Sequence, residues 1–168
     1  MSTPEPPDPP LIAPEREMLT AWLNCHREVL ARKCAGLTAA QLRERSAPPS
    51  ALSLLGLVRH MAEVERSWFR RVLAGEDAPP IYYSEDRPDD DFNDLESASP
   101  DEVFATWRRE CDLSRDAAGR AESLDVTGSR RGKDFSLRWI MVHMIEEYAR
   151  HNGHADLLRE RIDGMVGD

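Results

Sequence analysis

The residues with the clearest capacity for chemistry are a glutamate and a histidine one helical turn apart in the C-terminal part of the chain. Glu147 and His151 have i, i+4 spacing, which brings both side chains to one face of an α-helix. The hydrophobic periodicity around them predicts a helix from about Ser136 to Ile162, with both residues inside its apolar stripe. Because burial of a lone ionised carboxylate is costly, Glu147 must be neutralised, paired with a cation or bound to a metal ion.

Several interpretations of this pair remain open from the spacing alone. Glu147 and His151 could contact only each other, or Glu147 could pair with a buried arginine of another helix. A metal ion needs a third ligand, and the best candidate is His60 on a second predicted helix. His60 flanks the apolar stripe of that helix near Leu57 and Val64, a position that also suits a purely structural histidine.

Three further histidines accompany these candidates. His143 lies one turn before Glu147, and His154 follows His151 by three residues. Both are candidates for contacts with the ligands, and closure of the coordination sphere by either one would favour a binding role over catalysis. His26 lies among polar residues of the first predicted helix and is interpreted as structural.

Four long amphipathic helices are predicted to position these side chains. Their approximate bounds are 15–35, 52–74, 99–122 and 136–162. Thr38 and Gln41 form a capping box for a short turn, and Ser99, Pro100 and Glu102 form a strong helix start. No segment shows a convincing strand pattern, and residues 128–132, rich in glycine and arginine, are expected to form a turn. The prediction is an all-α four-helix bundle.

Two segments outside these helices differ in composition. Residues 1–14 contain six prolines and are expected to form a disordered or polyproline-like arm, which leaves residues 15–165 for the bundle. Residues 75–99 contain nine acidic residues and a single arginine. Such a long connection indicates a solvated loop, a crossover between parallel neighbours or a functional loop, and it could cover a pocket as a lid.

Composition excludes several function classes. The chain has 168 residues, of which 40% are hydrophobic, and no apolar run approaches the roughly 20 residues that span a bilayer. The N-terminal residues lack the basic and apolar regions of a secretory signal, so a cytoplasmic location and no membrane partner are expected. A net charge of −9 repels phosphate backbones, which argues against a nucleic-acid partner.

The cysteines do not indicate a disulfide framework or a thiolate metal site. Cys25, Cys34 and Cys111 are odd in number and show no C-x-x-C spacing. Reduced thiols of structural role are therefore expected.

Two segments carry a resemblance to a known family. Residues 54–69, which contain His60, and residues 143–156, which contain Glu147 and His151, together resemble the DinB-like superfamily. Within that superfamily the sequence is most similar to the actinobacterial branch related to the mycothiol-dependent enzymes. The likeness extends from about Glu15 to Ile162.

The resemblance implies both a topology and a ligand set. It implies an up-down-down-up four-helix bundle with a long crossover between helices 2 and 3, which fits residues 75–99. Many members bind zinc or nickel with one ligand from the second helix and two from the fourth, usually a His-x-x-x-His pair. Here Glu147 replaces the first of that pair, as in mycothiol-dependent maleylpyruvate isomerase. The implied metal ligands are therefore His60, Glu147 and His151, with zinc expected first and nickel second.

The resemblance also implies a class of reaction. A metal-dependent S-transferase or isomerase that uses a low-molecular-weight thiol such as mycothiol, with an electrophile as second substrate, is the leading hypothesis. The alternatives are a non-catalytic metal- or ligand-binding stress-response bundle and a metal-dependent hydrolase. Maleylpyruvate isomerase has an additional C-terminal domain for which no counterpart is expected here, so the resemblance is not taken to imply the same substrate. Homodimers are common in families of this type, and a homodimer is one expectation here.

Overall fold

The computed structural model describes residues 8–167, and this part of the chain is mainly α-helical, as the sequence predicts. The helical elements are α1 (Glu15–Cys34), α2 (Ala39–Arg43), α3 (Leu54–Glu65), a π-helical segment (Arg66–Leu73), α4 (Asp90–Asn93), α5 (Pro100–Arg120) and α6 (Leu137–Asp163). No helix in this range combines the length and the apolarity needed to cross a bilayer. The first seven residues of the predicted arm lie outside the described residues.

The long helices begin and end close to where their local sequence signals predict. The Ser99 side chain accepts a hydrogen bond from the backbone N–H of Glu102 at the start of α5, directly before Pro100. Ser136 does the same for Trp139 at the start of α6. The capping box of α2 is also present. These caps use backbone N–H groups that the first helical turn leaves without partners.

The core lies between the long helices. α1 packs against α6, while α3 and the π-helical segment pack against α5, and α3 also contacts α6. Their shared apolar cluster has fully buried members on three of these helices, among them Leu30, Leu54, Met61 and Met144. The packing of α3 on α6 brings the helix of His60 beside the helix of Glu147. The up-down-down-up order itself stays a prediction.

The expectation of no strands is wrong for the segment before α6. β1 (Thr127–Arg130) pairs antiparallel with β2 (Lys133–Ser136) in a two-stranded sheet. Arg131 and Gly132, which connect the strands, have φ angles of 51° and 76°. Positive φ at both central residues is what a tight two-residue hairpin turn requires. The strands are short and polar, so they lack the apolar alternation by which a sequence reveals a strand.

The second predicted helix is also not a continuous α-helix. After Glu65 it widens into the π-helical segment, and the backbone N–H of Ala74 bonds to the carbonyl of Phe69, five residues earlier. Apolar periodicity over eight residues cannot distinguish this wider turn from an α-helix. π-helical turns are rare in proteins, and those that occur often lie at functional sites.

The acidic connection between the π-helical segment and α5 is anchored to the helices. The buried Glu63 carboxylate of α3 accepts hydrogen bonds from the backbone N–H groups of Ile81 and Tyr82, each at 2.6 Å. The short helix α4 lies against α3 and buries Asp91, which is only 5% exposed. This connection is therefore more than a solvated loop, because it supplies packed side chains to the surface of α3.

Candidate metal centre

The structure brings the three predicted ligands together. His60 on α3 and Glu147 and His151 on α6 each offer one donor atom, and these three atoms all lie within 4.8 Å of one another. The rings of His60 and His151 are 4.8 Å apart at their centroids and meet edge to face. Oε2 of Glu147 lies 3.4 Å from Nε2 of His151.

The sequence predicts Glu147 inside the apolar stripe of its helix, but the structure places it at the edge of that stripe. The side chain is half-buried at 18% exposure, whereas Met144 and Tyr148 of the same helix are fully buried. Glu147 therefore lies at the edge of the core. The sequence analysis left open that Glu147 pairs with a buried arginine of another helix. The structure has a buried arginine, Arg27, but it pairs with Glu65.

His60 is oriented by a carboxylate that the sequence analysis did not single out. Oδ2 of Asp91 lies 2.8 Å from Nδ1 of His60, and Phe92 stacks on the same ring at 4.5 Å. A carboxylate accepts, so this contact places the proton on Nδ1 and leaves the lone pair of Nε2 free. Metal-bound histidines almost always donate their second ring N–H to such a partner.

His151 is held in its neutral form. Burial, followed by the nearby imidazoles of His60 and His154, lowers the pKa of His151 to about 3. The residue as a whole is 8% exposed. An imidazole must be neutral to offer a lone pair to a metal ion, so at neutral pH this residue is ready to ligate.

The other histidines contact the site or lie apart from it. His154 Nδ1 is 3.3 Å from His151 Nδ1, and His143 Nε2 is 3.5 Å from Glu147 Oε1. Neither belongs to the group formed by His60, Glu147 and His151 within residues 8–167. His26 instead packs beside Trp22, and its backbone carbonyl accepts a hydrogen bond from Asn152, as befits a structural residue.

The family model for Mycothiol-S-transferase matches residues 18–164. This chain belongs to the Mycothiol-S-transferase family. The match confirms the resemblance to the DinB-like superfamily. A crystal structure of a conserved protein from Enterococcus faecalis is similar in fold, with a TM-score of 0.57 and 16% identity over 90% of this chain and 96% of that one. No protein of curated function matches.

The donor set suits a divalent ion in a member of this family. Two imidazoles and one carboxylate from two helices match the three-ligand sets of catalytic zinc sites, which keep a position open. The Asp91–His60 contact supplies the outer hydrogen bond that such sites share. The same donors also suit nickel, since imidazole binds both ions.

The thiols of this Mycothiol-S-transferase family member are poor nucleophiles. All three cysteines are free, as expected, and Cys34 and Cys111 are buried. Burial raises the pKa of Cys34 to about 12 and raises the pKa of Cys111 as well. The reactive form of a thiol is the thiolate, so these side chains stay unreactive at neutral pH.

A buried polar network on α1, α3 and α6 escaped the sequence analysis. Arg27 donates two hydrogen bonds of 2.8 Å to the fully buried Glu65, and the Tyr148 hydroxyl donates a third at 2.7 Å. Burial alone would raise the pKa of Glu65, but Arg27 and these hydrogen bonds outweigh it and lower that pKa. The available signal was the position of Glu65, which continues the apolar spacing of Val58 and Met61.

Proposed function

We propose that this protein is a metal-dependent S-transferase that uses a low-molecular-weight thiol such as mycothiol. Family membership supports the thiol chemistry. The single observation that carries the metal is the approach of one donor atom each from His60, Glu147 and His151 to within 4.8 Å. We further propose that the four long helices form the up-down-down-up bundle that the resemblance implies.

Each residue of the centre would contribute in a different way to binding an ion. His60 is held by Asp91 with Nε2 free, His151 is neutral, and Glu147 supplies the negative charge. We expect zinc first and nickel second. A divalent ion bound here would supply Lewis-acid charge that lowers the pKa of a thiol in the open position.

The remaining steps concern the thiol and its proton. In transfer, the thiol sulfur forms a new C–S bond with an electrophilic carbon, the leaving group departs with its electron pair, and the thiol proton is released. His143 Nε2, 3.5 Å from Glu147 Oε1, is an imidazole within reach to accept that proton. No protein nucleophile is needed, in keeping with the protonated cysteines.

The partners in this proposal are small molecules. They are a thiol and an electrophile, and the site of action is the cytoplasm, where thiols are kept reduced. The net charge of −9 opposes nucleic acid, and a homodimer stays a prediction.

The test is thiol transfer by zinc- or nickel-loaded protein. Mycothiol, bacillithiol and glutathione are each offered with a panel of electrophiles. Glu147→Gln should lower kcat/KM by about 100-fold or more, since it removes a charged ligand of the proposed ion. The matched control is Glu160→Gln on the exposed face of α6, which should stay within about twofold.

Two outcomes would contradict the proposal. Zinc-loaded protein that transfers none of the three thiols to any electrophile would end the transferase assignment. Turnover of esters or amides without added thiol would instead indicate metal-dependent hydrolysis.

A further inference from the structure

A cluster of aromatic rings lies next to the candidate metal centre, and the proposed function uses only one of them, the His143 imidazole. We call Trp68, Phe135, Trp139 and His143 the aromatic row. Trp68 contacts the other three rings at centroid distances of 5.2 Å to Phe135, 5.1 Å to Trp139 and 4.9 Å to His143. Trp139 and His143 stack at 4.8 Å with an interplanar angle of 19°.

The aromatic row is continuous with the metal centre. Trp139, His143 and Glu147 follow one another at i, i+4 spacing on α6, so they share one face of the helix. Nε2 of His143 lies 3.5 Å from Oε1 of Glu147. At 1.5 Å per residue, Trp139 lies about 12 Å along the helix from Glu147, the length of a two-ring molecule with a short substituent.

The outer end of the aromatic row is open to solvent. Trp139 is 44% exposed, and the His143 side chain is 23% exposed, whereas Trp68 behind them is buried. A stacked pair of rings that is half in water, beside a reactive centre, offers a flat apolar surface with a defined orientation. Planar aromatic molecules bind such surfaces by offset stacking or edge-to-face contact.

Two irregular elements hold the inner rings in place. Trp68 lies on the π-helical segment and Phe135 lies on β2 of the hairpin. The hairpin packs so closely on the π-helical segment that a Cβ at Gly128 would lie 2.0 Å from the backbone oxygen of Val72. The rings are therefore fixed by backbone contact between these two elements, and the row is preorganised.

A cation lies at the edge of the same surface. The Arg130 guanidinium is 5.3 Å from the Trp68 ring centroid. Within residues 8–167 no ion pair joins Arg130 to a carboxylate. This arginine can therefore pair with an anionic group on a ligand that stacks on the row.

We infer that the aromatic row is the subsite for the electrophile, and that the electrophile is a planar aromatic molecule with an anionic substituent. The role as electrophile rests on the proposed function, whereas the preference for a planar aromatic anion rests on the row and Arg130. The thiol sulfur forms its C–S bond to a carbon attached to or within the stacked ring system. The leaving group departs with the electron pair, and the thiol proton passes to the His143 imidazole, as in the proposed function.

The first test measures binding with a probe that undergoes no reaction. Full-length protein is titrated with 2-naphthoate and with its saturated analogue, decahydro-2-naphthoate, and the indole N–H signals are followed by NMR. The signals of Trp139 and Trp68 should shift, and the saturated compound should bind about tenfold more weakly or worse. Trp22 serves as an internal control, because it is 43% exposed and lies beside His26, yet outside the row. Equal affinity for both compounds, or an equal shift at Trp22, would overturn the inference.

Tryptophan variants distinguish binding at the aromatic row from nonspecific binding of aromatic molecules elsewhere on the protein. Trp139→Ala should weaken 2-naphthoate binding by about tenfold, while Trp22→Ala should not. Trp139→Phe retains a ring and should stay within about threefold of wild type, which distinguishes loss of the contact from loss of the fold. An unchanged affinity in Trp139→Ala would overturn the inference.

A third arm distinguishes failure of this inference from failure of the proposed function. His151→Ala should remove the proposed ion yet leave 2-naphthoate affinity unchanged. Binding as described without any thiol transfer would retain the row as an aromatic-anion site and reject the transferase. If transfer occurs, 2-naphthoate should compete with the electrophile; competition with the thiol alone would overturn the assignment of the row.

Discussion

At the scale of single residues, the candidate centre includes Asp91, a carboxylate that contacts one of the three proposed ligands. Oδ2 of Asp91 contacts Nδ1 of His60 at 2.8 Å, and Asp91 is only 5% exposed. Such outer partners restrict the ring to one tautomer and one orientation, which prepares it for an ion before the ion arrives.

Asp91→Asn should therefore weaken zinc binding by about 10- to 100-fold, because the amide cannot act as a charged acceptor for the His60 N–H. The affinity is measured by competition with a chromogenic chelator. The matched control is Asp90→Asn, whose carboxylate pairs with the exposed Arg87 and should leave the zinc affinity unchanged. Equal affinities of both variants would show that Asp91 has no part in the site.

The sequence revealed the three candidate ligands but not their partner. Glu147 and His151 stand out because a charged or titratable group in an apolar stripe is unusual. His60 only flanks the stripe of its helix, and the family resemblance is what selects it together with the other two. Asp91 is one of nine acidic residues in a segment without periodicity, so no pattern distinguishes it from its neighbours. Only the packing of α4 on α3 selects it.

The buried pair of Arg27 and Glu65 gives a second prediction at this scale. Arg27→Met leaves the Glu65 carboxylate buried without its cation and should lower the free energy of unfolding by about 3–5 kcal/mol. The double variant Arg27→Met, Glu65→Leu should recover part of that loss, because its apolar side chains need no partner, whereas the buried Tyr148 hydroxyl loses its acceptor. Urea unfolding at neutral pH measures both. A double variant as unstable as the single one would contradict this account.

The same pair predicts a pH dependence of stability. The pKa of Glu65 is lowered in the folded protein from its ordinary value of 4.5, so the folded state prefers the ionised carboxylate. Its contribution is therefore complete above pH 4.5 and is lost as the pH falls through the lower folded value. Between these values wild type should lose stability on acidification more steeply than the double variant. Parallel slopes for the two proteins in urea unfolding would contradict the prediction.

At the scale of elements, the hairpin and the π-helical segment are the two features that sequence periodicity could not reveal. The four long helices have apolar stripes and caps, so their positions follow from local signals. The hairpin instead depends on positive φ at Arg131 and Gly132 and on its contact with the π-helical segment. Neither the turn conformation nor this contact can be predicted from the sequence of a polar four-residue strand.

Glycine-to-alanine substitutions test this contact with a matched pair. Gly128→Ala places a Cβ 2.0 Å from the Val72 carbonyl oxygen, so the hairpin must move and the unfolding free energy should fall by about 2 kcal/mol or more. Gly153→Ala in α6 meets nothing within 4 Å and should instead raise it by about 0.5–1 kcal/mol through helix propensity. Thermal or urea unfolding distinguishes the two. A neutral Gly128→Ala would show that the hairpin is not closely docked.

At the scale of the whole molecule, the centre joins two helices that are 87 residues apart at His60 and Glu147 in the sequence. An ion held between α3 and α6 would bind the folded state and not the unfolded chain. Folding and binding are then linked, and stability depends on the concentration of the ion. The net charge of −9 adds a general attraction for cations, which the site-specific effect must exceed.

Zinc at about 100 times its dissociation constant should add about 2.7 kcal/mol of stability and raise the melting temperature by about 5–10 °C. The increase should vanish in Glu147→Ala, whereas magnesium at the same concentration should have little effect. Differential scanning calorimetry measures the shift. An equal rise in Glu147→Ala would assign the effect to general cation binding instead.

The most direct measurement of the central claim is the metal content of protein purified without an affinity tag, determined by elemental mass spectrometry. Wild type should contain about one equivalent of zinc or nickel, and Glu147→Ala and His151→Ala should lose it. The matched control His26→Ala removes a histidine outside the centre and should retain the metal. If wild type contains no metal even after incubation with zinc and nickel, Glu147 and His151 are a polar pair and the metal-dependent account is wrong.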